Sequence, residues 1–119
     1  MKLCGKETYE RKFPEEGIAV DKQPLFYLKK ISLADKSVID DASFASVEND
    51  IKFLGGASQR MKLKYSLVDW KNITDDTGVP LSCTDENKDL LPSGVATWLL
   101  LEIDKLNGFV PMKEKERKN

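Results

Sequence analysis

The chain has 119 residues, of which 40% are hydrophobic and 33% charged, and this composition predicts one small domain with a modest core. Nineteen basic and twenty acidic residues leave a net charge of -1, which argues against binding to nucleic acid or an anionic membrane. The longest uninterrupted apolar run, Trp98–Leu101, is far too short to span a bilayer. Because Met1–Gly5 leads into charged residues, we expect no signal peptide and a cytoplasmic location.

The residue types needed for catalysis or metal binding are scarce. Histidine is absent, and with it the side chain best suited to proton transfer near neutral pH. Two cysteines, Cys4 and Cys83, are too few for a disulfide framework or a zinc site. The acid-rich loop around Gly78 does not fit the ligand spacing of a calcium-binding EF-hand loop. We therefore predict no catalytic residue, no metal site and no cofactor.

The first thirty residues predict extended structure. The segment before Phe13 is an extended lead-in with one short strand at most, and Pro14–Gly17 has the composition of a turn. Leu25–Ile31 begins with strand-forming residues and predicts a strand with Phe26, Leu28 and Lys30 on one face, the alternative being a first helical turn.

Helices are predicted from Ser32 onward. Ser32 is a candidate N-cap for a helix over 33–41, with Leu33, Val38 and Ile39 turned inward. A stripe with alternating spacings of four and three residues then predicts either one kinked helix or two helices broken at Gly55 and Gly56. The stripe comprises Val47, Ile51, Leu54, Ser58, Met61, Tyr65 and Val68. It indicates a helix packed on its own core or, less often, a face offered to a partner.

The C-terminal half predicts a turn followed by two capped helices. The segment 74–78 has the composition of a solvent-exposed turn closed by an Asp side chain. Thr84 is expected to cap a short helix, and Ser93 a final helix over 94–106 that ends before Gly108. After that helix, Phe109, Val110 and Met112 could fold back onto its end. Both tryptophans, Trp70 and Trp98, are expected to be substantially buried, since each lies on an apolar face.

These elements predict a mainly α (α+β) fold: a small helical domain with a short N-terminal β-strand region. Its strands are expected within the first forty residues, and helices are expected to take roughly half of the chain. Residues 1–112 form the predicted single domain. Residues 113–119, KEKERKN, are a predicted charged and mobile tail.

One stretch also resembles a known group of proteins. Residues 65–82 join the end of a helix to Asp69-Trp70, a loop closing on Gly78, and the step Val79-Pro80-Leu81. Glu86-Asn87 and a leucine-rich helix follow. This order resembles a pattern that recurs in small tailed-phage (siphophage and prophage) proteins, often tail assembly chaperones or related tail morphogenesis proteins. The chain departs from the pattern at Asp69, where glycine is commoner, and at Cys83, where an aromatic residue is often found.

The resemblance implies a non-enzymatic protein that binds the tape-measure or tail-tube protein in the bacterial host cytoplasm and shields apolar surface before the tail assembles. Two alternatives are a virion component, such as a head–tail connector or tail-completion protein, and a host-directed regulatory binding protein. An enzyme is a third, for which the best carboxylate cluster is Asp75, Asp76, Asp85 and Glu86. The candidate partner-binding residues are Val47, Ile51, Leu54, Met61, Tyr65, Trp70, Trp98 and Leu101. Self-association is another way in which such surface would be hidden.

Overall fold

The structure is a computed structural model, and it describes residues 1–109. Five strands, four α-helices and one short 3-10 helix are present in these residues. In chain order they are β1 (Tyr9–Lys12), the 3-10 helix (Val20–Lys22), β2 (Leu25–Leu28), α1 (Leu33–Ala42), β3 (Phe44–Val47), β4 (Asp50–Phe53), α2 (Gly55–Ser66), β5 (Leu67–Lys71), α3 (Asp85–Lys88) and α4 (Ser93–Asn107). The predicted tail at 113–119, and the predicted domain boundary at 112, lie outside the described residues.

The prediction of a mainly helical fold was wrong. Helices take 40% and strands 21%, and the strands form two antiparallel sheets, so the domain is a mixed α+β structure. Strands are not confined to the N-terminal region, because β3, β4 and β5 all follow the first helix. The extra strands come mostly from the segment in which the apolar spacing indicated a helix.

The larger sheet has the strand order β1-β2-β5, with β2 in the centre. Leu25–Ile31 was predicted to be a strand, and β2 occupies its first four residues with Phe26 and Leu28 buried on one face, as expected. A β-bulge between Tyr27 and Leu28 changes the register of the pairing between β2 and β5. The amide of Lys29 donates to the carbonyl of Ser66 at 2.8 Å, and the Ser66 hydroxyl donates back to the carbonyl of Lys29 at 2.7 Å. These two bonds join the end of α2 to the end of β2.

The hydrophobic core lies between this sheet and the helices. Its buried members are Phe26, Leu28, Ile31, Ile39, Leu63, Leu67, Trp70, Leu99 and Ile103. Leu99 and Ile103 are four residues apart on α4, which puts both on one face of the helix. The Trp98 ring is half-buried and packs edge-on against Phe13, with ring centroids 5.1 Å apart. Thus α4 packs against the core through Leu99 and Ile103, and its Trp98 ring also contacts Phe26 of the central strand.

The first helix is capped as predicted but packs differently. The Ser32 hydroxyl accepts from the amide of Asp35 at 3.2 Å. Of the three residues expected to point inward, only Ile39 is buried, while Leu33 is 84% and Val38 43% exposed. Ile39 follows Leu33 by six positions, which separates the two side chains by about 120° around the helix axis. They therefore cannot both lie on a narrow stripe that faces the core. The inward placement of Leu33 and Val38 was therefore wrong.

The helical interpretation of the apolar stripe was wrong over its first half. Phe44–Val47 and Asp50–Phe53 form an antiparallel hairpin, and α2 begins only at Gly55. The connecting residues Glu48 and Asn49 have φ values of 51° and 68°, as a tight two-residue turn requires. A helix would place Val47 and Ile51 on one face, but in the hairpin Val47 pairs with Asp50 and Ser46 with Ile51, so Val47 and Ile51 lie on opposite faces. At its other end, the stripe ran into strand β5.

Several local predictions in the C-terminal half are confirmed. The Asp75 carboxylate accepts from the amides of Thr77 and Val79, which makes the expected turn. Thr84 caps α3, its hydroxyl accepting from the amide of Asn87 at 3.2 Å. Gly108 ends α4 with a left-handed φ of 71°. Within residues 1–109, no helix has the length and apolar character that crossing a membrane requires.

Candidate partner-binding surface

The β3–β4 hairpin carries an exposed apolar face. Phe44, Ile51 and Phe53 lie on one side of it, because alternate residues of a strand point to the same face and Phe44 pairs with Phe53. These three side chains, here called the aromatic hairpin face, are 51%, 79% and 60% exposed. The two phenyl rings contact one another, with centroids 5.4 Å apart. Exposed apolar side chains that adjoin one another in this way are typical of interaction sites.

The hairpin is anchored at its base. The amide of Leu54 donates to the carbonyl of Ser43 at 2.6 Å, closing the hairpin where it leaves α1 and enters α2. Ser43 is itself buried, and its hydroxyl donates to the carbonyl of Ile39 in the last turn of α1. The base of the hairpin is therefore continuous with the core, whereas its two strands are largely exposed.

A groove runs between the aromatic hairpin face and the two neighbouring helices. It has a volume of about 450 Å³ and is lined by Lys36, Ile39, Asp40, Ser43, Phe44, Phe53, Ser58, Lys62 and Phe109. Its two lysines are neutralised by carboxylates: Lys36 Nζ lies 2.6 Å from Asp40, and Lys62 Nζ lies 3.1 Å from Asp104. Since both charges are paired, the groove suits an apolar ligand better than an ionic one.

The residues predicted to bind a partner fall into two groups. Val47, Ile51 and Leu54 belong to the hairpin or its base and are 46%, 79% and 39% exposed, although Val47 lies on the face opposite Ile51. Leu101 is 51% exposed, but it belongs to α4.

The remaining four candidates pack against the core. Met61, Tyr65 and Trp98 are half-buried. Trp70 is only 6% exposed, as its predicted burial requires, and its indole Nε1 donates to the carbonyl of Leu81 at 2.8 Å. The structure therefore places three candidates in or beside the hairpin, of which only Ile51 shares a face with Phe44 and Phe53, and it places Trp70 in the core.

Sequence reasoning missed Phe44 and Phe53, the two aromatic residues of the hairpin. A usable signal was present, because 44–47 has apolar residues at both ends, 50–53 has Ile51 and Phe53 at alternate positions, and Glu48-Asn49 separates the two runs. Asparagine tolerates the left-handed conformation that a two-residue hairpin turn needs. The glycine pair that follows was predicted either to kink one helix or to separate two helices, whereas it begins α2 directly after a hairpin.

Two side chains of the kind used in catalysis, Asp75 and Cys83, have shifted pKa values. The hydroxyl of Thr77 and the amide of Val79 hydrogen-bond the Asp75 carboxylate and hold its pKa below the usual range, so this group stays ionised as part of a turn. Burial raises the pKa of the Cys83 thiol to about 11, which makes it a poor nucleophile at neutral pH. In the described part of the chain, no three Asp, Glu or Cys side chains are grouped so that they could hold a metal ion.

Comparison of the chain with protein-family models, with curated proteins and with solved structures found no match.

Proposed function

We propose that this protein is a non-enzymatic tail assembly chaperone of a tailed phage, which acts in the bacterial host cytoplasm. In this proposal it binds the tape-measure or tail-tube protein and needs no cofactor, nucleic acid or membrane. The class of partner rests on the resemblance of residues 65–82 to small phage tail proteins. The binding site rests on a different observation.

The observation that carries the site is the exposure of Phe44, Ile51 and Phe53 side by side on the hairpin. Two-stranded hairpins are marginally stable on their own and gain stability when an apolar face is covered. A tail protein whose apolar helical surface is exposed before assembly supplies such a cover, and the hairpin shields that surface in return. A net charge of -1 leaves apolar contact as the main source of affinity.

The test is co-expression of the chain with neighbouring tail genes, followed by affinity capture of the chain. We expect the wild-type protein to recover the tape-measure or tail-tube protein in a soluble complex. The double variant Phe44→Ser/Phe53→Ser should lose at least ten-fold in recovery, since loss of two aromatic contacts at a small interface costs more than about 1.4 kcal/mol.

The matched control removes two other exposed apolar side chains, in Leu33→Ser/Leu90→Ser. Leu33 is 84% and Leu90 71% exposed, and neither belongs to the hairpin. Recovery by this control should equal that of the wild type. If the wild-type chain is captured alone, and the tape measure is equally soluble without it, the chaperone function is rejected. Detection of the chain in purified particles would then favour a virion component, and capture of a host protein would favour a host-directed regulator.

A further inference from the structure

The end of α4 directs the chain into the groove beside the hairpin. Gly108 adopts a left-handed φ of 71°, and its amide donates to the carbonyl of Lys105 at 3.3 Å. The amide of Phe109 donates to the carbonyl of Asp104 at 2.9 Å. These are the two bonds of a Schellman motif, which turns the chain back along the helix that it ends.

Phe109 consequently lies in the groove. Its ring centroid is 5.3 Å from Nζ of Lys36 and 5.8 Å from Nζ of Lys62, so the ring lies close to both lysines. Phe44 and Phe53 line the same groove. The chain therefore leaves the described part of the structure next to the aromatic hairpin face.

The size of that face suits a short segment rather than a second copy of the protein. Its three side chains expose roughly 400 Å² of apolar surface, counting 150–250 Å² for a whole aromatic side chain. Stable interfaces between proteins bury about 800 Å² on each partner, twice that amount.

The residues that follow Phe109 have the matching chemistry. Val110-Pro111-Met112 is apolar and, when extended, reaches about 10 Å, most of the length of a four-residue strand. Beyond it, residues 113–119 carry Lys113, Lys115, Arg117 and Lys118 against Glu114 and Glu116. The turn end of the hairpin carries Glu48 and Asp50, and with Lys52 the hairpin has a net charge of -1, opposite in sign to that of 113–119.

We propose that Val110–Met112 is the occupant of the aromatic hairpin face, packing on Phe44, Ile51 and Phe53, while the basic residues after it approach the acidic end of the hairpin. The protein then carries its own cover for this surface. If the proposed chaperone function also holds, a tail protein has to displace the segment, so that the two compete for one site.

The test uses the isolated full chain and two double variants that differ only in polarity. Val110→Asp/Met112→Asp should detach the segment, because two carboxylates are not accommodated on an apolar face. Val110→Leu/Met112→Leu retains the apolar character. In two-dimensional NMR spectra, we expect the amide resonances of residues 44–53 to shift in the aspartate variant and to stay near their wild-type positions in the leucine variant. Unchanged amide resonances in β2 and β5 verify that both variants are folded.

Hairpin resonances that do not respond to the aspartate variant would overturn the inference. So would hairpin resonances that depend on protein concentration instead, since a second copy would then cover the face. Neither result involves a tail protein, so the outcome is separate from that of the capture experiment. Where a tail protein does bind, the aspartate variant should bind it more tightly than the leucine variant.

Discussion

Trp70 shows how one side chain can serve both the core and a loop. Its ring packs edge-on against Phe26 of the central strand, with centroids 6.4 Å apart at 84°. Its indole N–H donates to the carbonyl of Leu81, beyond the turn that Asp75 holds. The same residue therefore contributes apolar burial to the sheet and fixes the return path of the loop. Among the predicted partner-binding residues, it is the one whose surroundings most clearly indicate a structural role.

Two substitutions of Trp70 separate these contributions. Trp70→Ala should lower the free energy of unfolding by about 3–5 kcal/mol, because it leaves a large cavity in the core. Trp70→Phe retains most of the apolar volume and removes the N–H donor, so it should cost about 1–3 kcal/mol. Urea titration measures both values. A loss below about 0.5 kcal/mol for the alanine variant, which is the size typical of surface substitutions, would contradict the burial of this residue.

At the scale of elements, the hairpin depends on its turn. Both central residues, Glu48 and Asn49, have positive φ, a conformation that costs a side chain such as glutamate more than it costs asparagine or glycine. The strands contribute Phe44, Ile51 and Phe53 to a face on which each of these side chains is more than half exposed. The turn therefore limits how well the candidate binding surface is formed.

Changing the turn should change the hairpin alone. Glu48→Asn/Asn49→Gly introduces the dipeptide preferred in such turns and should raise the protection of hairpin amides against hydrogen exchange about two- to five-fold, equivalent to roughly 0.5–1 kcal/mol. Asn49→Ala, which has no local polar group to favour the left-handed conformation, should lower it. Amides of β2 provide the internal control. Equal hairpin protection in the wild type and both variants would be inconsistent with this turn.

For the whole molecule, the two sheets should differ in stability. The β1-β2-β5 sheet lies against the core, where Phe26, Leu28 and Leu67 are fully buried. All residues of the hairpin strands except Ala45 are exposed. Apolar burial is the main stabilising contribution, so the sheet with more of it should open last.

Native-state hydrogen exchange measures this difference. Amides of β2 and β5 should exchange only through global unfolding, with an opening free energy in the range of about 5–15 kcal/mol that is usual for domains. Amides of β3 and β4 should open at least about 2 kcal/mol more easily, through local unfolding. Hairpin amides as protected as those of β2 would mean that the two sheets unfold as one unit.

Local chemistry in the sequence determined two helix caps, two turns and one strand, although Ser93, which was expected to cap α4, is instead its first residue, and Pro92 precedes it without a side-chain cap. Ser32 and Thr84 cap helices, and the Asp75 turn and Gly108 lie where the sequence placed them. Each of these features depends on hydrogen bonds or backbone preferences within a few residues, so no distant part of the chain has to be known. The strand-forming residues around Phe26 likewise predicted strand β2 and the face that carries Phe26 and Leu28.

Only the tertiary structure decided which apolar segments became strands and which surface remained exposed. Strand β5 is paired with β2, about forty residues earlier in the chain, and local spacing contains no information on that pairing. In the hairpin, Phe44 and Phe53 face one another across a turn, whereas the sequence pattern also fitted a helix. Trp70 and Ile51 are both large and apolar, yet one is buried and the other exposed. Burial is a property of neighbours brought together by folding, which is why composition and periodicity could not assign it.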